Sequence, residues 1–204
     1  MINGIAIFGP NGAGKSSITH ALAKKLAYAE LDVEDLYFPE QRASRQRALE
    51  GKFEPERGSE PERGGEPMPH SGALPFSRPR TKEEVQSGLL RELAANPRFI
   101  LSGVTMNWPE EILAKIEIAF WVQAPLELRL RRIGAREEKR FGARVLPGGD
   151  MYEQQKAFRD MVAGRDPKAI EQTAARLHCP VYPLDGTLPV EENVARILTR
   201  LEQG

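Results

Sequence analysis

One octapeptide constrains this chain more than any other feature. Gly9-Pro10-Asn11-Gly12-Ala13-Gly14-Lys15-Ser16 matches the spacing G-x4-G-K-[ST] at every fixed position. The apolar run 2–9 before it reads as a buried strand ending in glycine. Behind it Ile18, Leu22 and Leu26 recur every four residues, as on the apolar face of a helix. Glycines let the backbone curl so that successive N–H groups point into one anion-sized hollow at the positive end of that helix. Lys15 can then reach β- and γ-phosphates, and the Ser16 hydroxyl can ligate Mg²⁺. Ser17 lies deeper on the helix, within reach of an α-phosphate. Gly9, Pro10, Asn11, Gly12, Ala13, Gly14, Lys15, Ser16 and Ser17 therefore form the expected nucleotide-binding set, with ATP and Mg²⁺ as its ligands. A glycine-rich turn that binds nothing is the competing reading, and both flanks weigh against it.

The rest of the chain alternates strand and helix patterns. Strand-like stretches fall at 29–34, 98–103, 116–123 and, more weakly, 179–184. Thr81 with Glu84 forms a capping-box pair ahead of Val85, Leu89 and Leu93. Pro125 stands where a first helical residue would, before Leu126, Leu130 and Ile133. Asp150 and Glu153 are placed to cap a helix carrying Met151, Gln155, Phe158 and Val162. A last helix near 189–202 carries Val190, Val194, Ile197, Leu198 and Leu201. This alternation predicts an α/β fold: a five-stranded parallel sheet with helices on both faces. Residues 54–65 read EPERGS, EPERGG, a hexamer repeated almost unchanged. Proline and glycine this dense cannot offset ordering entropy by burial, so 51–72 reads as a mobile surface loop.

The length of 204 residues fits one domain, 1–204, with a lid or insertion. Twenty-nine basic residues balance 29 acidic ones, which argues against a general nucleic-acid binder. The single cysteine, Cys179, excludes an internal disulfide framework and points to a reducing compartment. No apolar run approaches the roughly 18 to 20 residues of a membrane span, and the N-terminus lacks a signal peptide's basic flank. A cytoplasmic chain with no membrane partner is expected. His20, His70 and His178 show no metal-ligand spacing with one another or with Cys179.

Motifs that are missing narrow the nucleotide-binding classes. The guanine-reading Asn-Lys-x-Asp does not occur, and Leu101-Ser102-Gly103 continues as Val-Thr rather than as a transporter signature. No strand ends in Asp-Glu as in a ring ATPase. With these set aside, the chain resembles the P-loop small-molecule kinases of the nucleotide, nucleoside and shikimate kinase group. The resemblance rests on four places: the Gly9–Ser16 loop; the acidic end of the second strand, Asp32-Val33-Glu34-Asp35; Phe99-Ile100-Leu101-Ser102-Gly103; and the segment Ala124–Arg136. In adenylate kinases the third of these ends Leu-Asp-Gly, and here serine replaces the aspartate. That departure shifts the burden onto Asp32, Glu34 or Asp35. The fourth is similar to the entrance of a nucleotide-kinase lid, where arginines grip the transferring phosphates.

The resemblance implies a P-loop NTPase fold with strand order 2-3-1-4-5, an acceptor region at 40–80 and a lid at 134–150. It implies catalytic roles for Lys15, Glu34, Asp35, Arg132 and Arg136, and a magnesium role for Ser16 and Asp32. Which strand-two acid acts on the acceptor stays open. Helical geometry puts Arg129, Arg132 and Arg136 on one face, with Arg140 and Arg144 continuing the stripe. A solvated face partnered by Glu127, Glu137 and Glu138 is the alternative. Tyr37 and Phe38 could stack on an acceptor ring or close a core edge. Arg42, Arg45, Arg47, Arg78 and Arg80 are unranked acceptor contacts. The implied activity is ATP-dependent phosphoryl transfer to a small-molecule acceptor, nucleotide- or nucleoside-like. Its rival is an ATP-binding or ATP-hydrolysing switch that signals to a protein partner. Phosphorylation of a nucleic-acid end is a third option, disfavoured by the zero net charge.

Overall fold

A computed structural model describes residues 2–50 and 74–203. The repetitive stretch 51–72 lies outside the described residues. In chain order the elements are β1 (Gly4–Phe8), α1 (Lys15–Leu26), β2 (Ala29–Asp32), α2 (Val33–Tyr37), α3 (Arg42–Leu49), α4 (Lys82–Ala95), β3 (Phe99–Gly103), α5 (Glu110–Leu113), β4 (Ile118–Gln123), α6 (Leu126–Phe141), α7 (Tyr152–Ala163), α8 (Lys168–Arg176), β5 (Val181–Asp185) and α9 (Val190–Glu202). Short 3₁₀ turns at Pro39–Gln41 and Gly142–Val145 complete the framework. The five strands form one parallel sheet in the order β2-β3-β1-β4-β5, as expected.

Alternation along β1 explains why the sheet is covered twice. Ala6 and Phe8 face one core with Val85 and Leu89 of α4, Ile112 of α5 and Ile170 of α8. Ile5 and Ile7 face the other with Ile18 and Leu22 of α1 and Val194 and Ile197 of α9. A strand buried on both sides reads as an unbroken apolar run, which is what 4–8 is. Burial of each such large side chain contributes about 1.5–3 kcal/mol. Register then aligns the strand ends that matter: Ile7 opposite Ser102, and Ser102 opposite Asp32. The loop after β1 and the acid at the end of β2 thus meet at the carboxyl edge of the sheet.

Three local expectations are corrected. The second strand stops at Asp32 rather than running to Glu34, because the Asp32 carboxylate accepts the Glu34 N–H (2.9 Å) and caps α2. Asp150 does not cap α7; it is bound by Arg144 through two hydrogen bonds (3.0 and 2.8 Å), and Met151 occupies the cap position without a side-chain bond. Pro125 sits one residue before the first turn of α6 rather than within it. The Thr81–Glu84 capping box is present with both of its bonds. Helix α3, which periodicity did not single out, has no buried residue of its own.

Candidate active site

The Gly9–Ser16 loop is held in a shape that only glycine accepts at three positions, with φ of 145° at Gly9, 80° at Gly12 and 106° at Gly14. Space is as restrictive as φ. A Cβ at Gly9 would lie 2.2 Å from the Val122 carbonyl oxygen, and one at Gly12 would lie 2.6 Å from that of Arg129. Pro10 accepts from the Ala13 N–H (3.2 Å) and from Lys15 Nζ (2.9 Å). Asn11 and the buried Ala13 present their carbonyls to Arg129 and Arg132 of α6. Helix α1 opens at Lys15 with no side chain capping it, so its first amides are left facing the loop's hollow. Ser17 is exposed on that first turn. An uncapped helix start behind curled backbone suits a polyphosphate.

Beside the loop, oxygen atoms converge. Ser16 Oγ and Ser102 Oγ both donate to Asp32 Oδ2, each at 2.9 Å. Asp32 is 7% exposed, yet its two oxygens take up both hydroxyls and the Glu34 N–H. Ser102, where adenylate kinases carry an aspartate, therefore supports Asp32. A hydroxyl and a carboxylate oxygen side by side form a donor set that fits a hard cation such as Mg²⁺. Among the described residues, no group of three or more His, Cys, Asp or Glu could hold a metal. The pair fits the two-ligand share that a protein gives a magnesium carried in with phosphates.

A second acid, Asp35, is equally buried and is gripped by Arg45 of α3 through Nε (2.7 Å) and Nη2. Arg45 Nη1 also lies 3.2 Å from Asp32 and 3.5 Å from Glu30. His20 Nδ1 contacts the far oxygen of Glu30 at 2.8 Å. Burial alone would lower the Arg45 pKa. The Asp35 hydrogen bond and the three carboxylates outweigh it and hold the guanidinium above its usual range. Of the five unranked arginines, Arg45 alone is seen bound to this acid cluster. Glu34 differs from both aspartates: half-buried at the start of α2, it acts electrostatically on Lys15. Lys15 itself is pulled down to about 8, mainly by burial, with Arg136 and Arg165 adding to the effect and Asp32 and Glu34 opposing it.

The α6 arginines divide by what they touch. Arg129 donates to the carbonyls of Ala124 (3.2 Å) and Asn11 (3.3 Å). Arg132 Nη1 donates to Gly186 (2.8 Å) and reaches Ala13 (3.5 Å), tying α6 to the nucleotide loop and to the turn after β5. Gly186 fits there because a Cβ would come within 2.4 Å of the Ala13 oxygen. Arg136 is exposed and close enough to Lys15 to lower its pKa. Arg140 is drawn to α3 instead, and Arg144 to Asp150. Of the acidic partners weighed for this stripe, Glu137 is buried and pairs with Arg159 of α7 at 2.7 Å.

Sequence reasoning missed Arg165. It lies between α7 and α8, and its charge acts on both Lys15 and Arg129, lowering the pKa of each. Its one local signal is the sequence Gly164-Arg165-Asp166-Pro167, an arginine at a helix-to-helix turn.

No protein-family model matches the chain. It is 26% identical over 209 residues to a protein named "Uncharacterized protein YqaC" of Bacillus subtilis (strain 168), with 98% of each chain covered. Among solved structures it is similar to shikimate kinase from Acinetobacter baumannii in complex with shikimate, at 18% identity and a TM-score of 0.51, covering 100% of this chain and 94% of that one. It is also similar to deoxyadenosine kinase from M. mycoides, at 17% identity and a TM-score of 0.50, covering 98% and 100%. Together with the strand order and the loop after β1, these likenesses give the chain the fold of the P-loop small-molecule kinases.

Proposed function

We propose that this protein is an ATP-dependent phosphotransferase acting on a small molecule, a nucleotide- or nucleoside-like acceptor. The observation that carries the reading is one constellation: Lys15 on the phosphate loop, the Ser16–Asp32–Ser102 oxygens beside it, and Glu34, whose charge acts on Lys15. The two fold neighbours, both kinases of small molecules, support it.

In this reading the loop amides and the start of α1 bind the donor's phosphates. Lys15, mostly charged at pH 7 with a pKa of about 8, leaves the Pro10 carbonyl to neutralise the outer phosphates. Ser16 and Asp32 would hold Mg²⁺, which would neutralise charge on the phosphate oxygens. Glu34 orients the acceptor hydroxyl and takes its proton as the oxygen bonds to the γ-phosphorus and the bond to the departing ADP oxygen breaks. Asp35, saturated by Arg45, anchors α2 so that Glu34 keeps its aim. Arg136, whose charge reaches Lys15, serves the transferring group, while Arg132 braces the loop from behind. Residues 40–80 form the acceptor region and 134–150 the lid of a single domain, 1–204.

The rival reading, an ATP-driven switch, needs the same phosphate grip. Arg136→Ala and Glu34→Gln separate the two. A kinase loses transfer by roughly 10²-fold or more in each variant while ATP affinity changes little. Unchanged nucleotide turnover in both variants would favour the switch.

A further inference from the structure

A second set of contacts joins α6 to the segment after β2. Arg140 follows Arg136 by one helical turn, so the two share a face of α6. Its Nε donates to Ser44 Oγ (3.0 Å) and its Nη2 to Gln41 Oε1 (2.6 Å), both on the acceptor-side segment after β2. Its guanidinium also lies over two rings, 5.3 Å from the centre of Phe76 and 5.0 Å from that of Phe141.

Phe76 is the centre of this arrangement. Its φ of 61° places a bulky side chain in the left-handed region, which aromatic residues rarely adopt. The ring is wedged between two others, edge-on to Phe38 at 5.2 Å and to Phe141 at 6.3 Å. Leu74 and Phe76 pack on Phe141, Val145 and Met151, and Gln154 Nε2 of α7 donates to the Pro75 carbonyl (2.8 Å). Phe38 directly follows α2, the helix that carries Glu34 and Asp35. A strained residue that persists is held there by its surroundings, and its neighbours here are Phe141, Val145 and Met151 on one side and Phe38, next to α2, on the other.

We propose that Phe76 and Arg140 form a clasp. The clasp docks the 142–151 turn on the acceptor-side segment and so holds Arg136 toward Lys15, linking acceptor-side order to the lid. Both are positioning residues: they act through Arg136 and α2. The kinetic half of this inference rests on the kinase reading above; the docking half does not.

The test uses the full chain without ligand. Phe76→Asn removes the ring but keeps a residue that accepts positive φ. Amide hydrogen exchange over 142–151 is expected to quicken at least tenfold, with β1, β3 and β4 unchanged, and Phe76→Tyr is expected to restore protection. Arg140→Gln gives the same pattern through a different contact, and it decides the matter if Phe76→Asn loosens the whole fold. Unchanged exchange over 142–151 in both variants overturns the clasp. In the kinetic arm, the ratio of acceptor-independent ATP hydrolysis to transfer rises at least tenfold in Phe76→Asn and returns in Phe76→Tyr. A constant ratio despite faster exchange overturns the link to Arg136. If the wild-type protein transfers no phosphate, the kinase reading fails while the exchange result still decides the docking.

Discussion

Arg45→Met is the substitution whose cost follows most directly from the geometry. It removes the only cation seen in contact with Asp32 and Asp35 among the described residues, and leaves Glu30 with only His20. Methionine preserves most of the stem's packing, so the change is chiefly electrostatic. A single guanidinium–carboxylate contact near 4 Å is worth on the order of 4 kcal/mol at an effective dielectric of 20, before desolvation is subtracted. Breaking a buried pair by removing one partner typically costs about 3–5 kcal/mol. The Arg45 side chain is 13% exposed, so some water reaches it, and the lower end, about 3 kcal/mol, applies. For a chain of 204 residues that corresponds to a melting-point loss of roughly 6–12 °C. Urea denaturation and thermal melts measure it. The double variant Arg45→Met/Asp35→Asn separates charge from packing. If uncompensated charge is the cause, the second change recovers at least half of the loss. A loss below about 1 kcal/mol, or a second substitution that adds its own cost in full, would mean that Arg45 does not hold these carboxylates by charge.

Raising the pH through about 8 removes the Lys15 charge, so the apparent Kd for ATP is expected to rise roughly tenfold between pH 7 and 9. Lys15→Arg flattens that slope in whatever affinity remains, as titration calorimetry would show. Because the folded pKa lies below the ordinary 10.5, the unfolded chain binds more protons between the two values, and this residue's contribution to stability grows with pH across that window. Gly12→Ala places a Cβ 2.6 Å from the Arg129 oxygen at a φ of 80°. ATP affinity should fall more than tenfold, with roughly 1–2 kcal/mol of stability lost to the left-handed conformation alone. Arg132→Met frees the Gly186 carbonyl and is expected to cost about 1–2 kcal/mol, read from denaturation.

What could be read from the sequence was local or periodic. The loop after β1 was legible because its glycines answer a demand of the backbone itself, and the five strands because apolar runs and helical faces alternate. The sequence also pointed to the strand-two acids as a group. It could not separate them, since Asp35 differs from Glu34 only through Arg45, ten residues on and in another helix. Arg165 was hidden for the same reason: its charge acts on Lys15 from 150 residues along the chain, and nothing in its neighbours announces that influence. Arg132 and Arg140 share a stripe with Arg136, and helical spacing gave them one role. Tertiary packing instead sends one to backbone carbonyls and the other to α3 and two aromatic rings. Ser102 looked like a loss at an acidic position, and register turned it into a partner for Asp32.

The central claim is that phosphate leaves ATP for a small acceptor. Its most direct test is transfer from γ-labelled ATP with Mg²⁺ to pooled nucleosides, nucleotides and small hydroxylated metabolites, beside a control without acceptor. A labelled product is expected in at least one pool, absent from the control and lost in Glu34→Gln. Release of inorganic phosphate alone, at a rate indifferent to every pool, would contradict it.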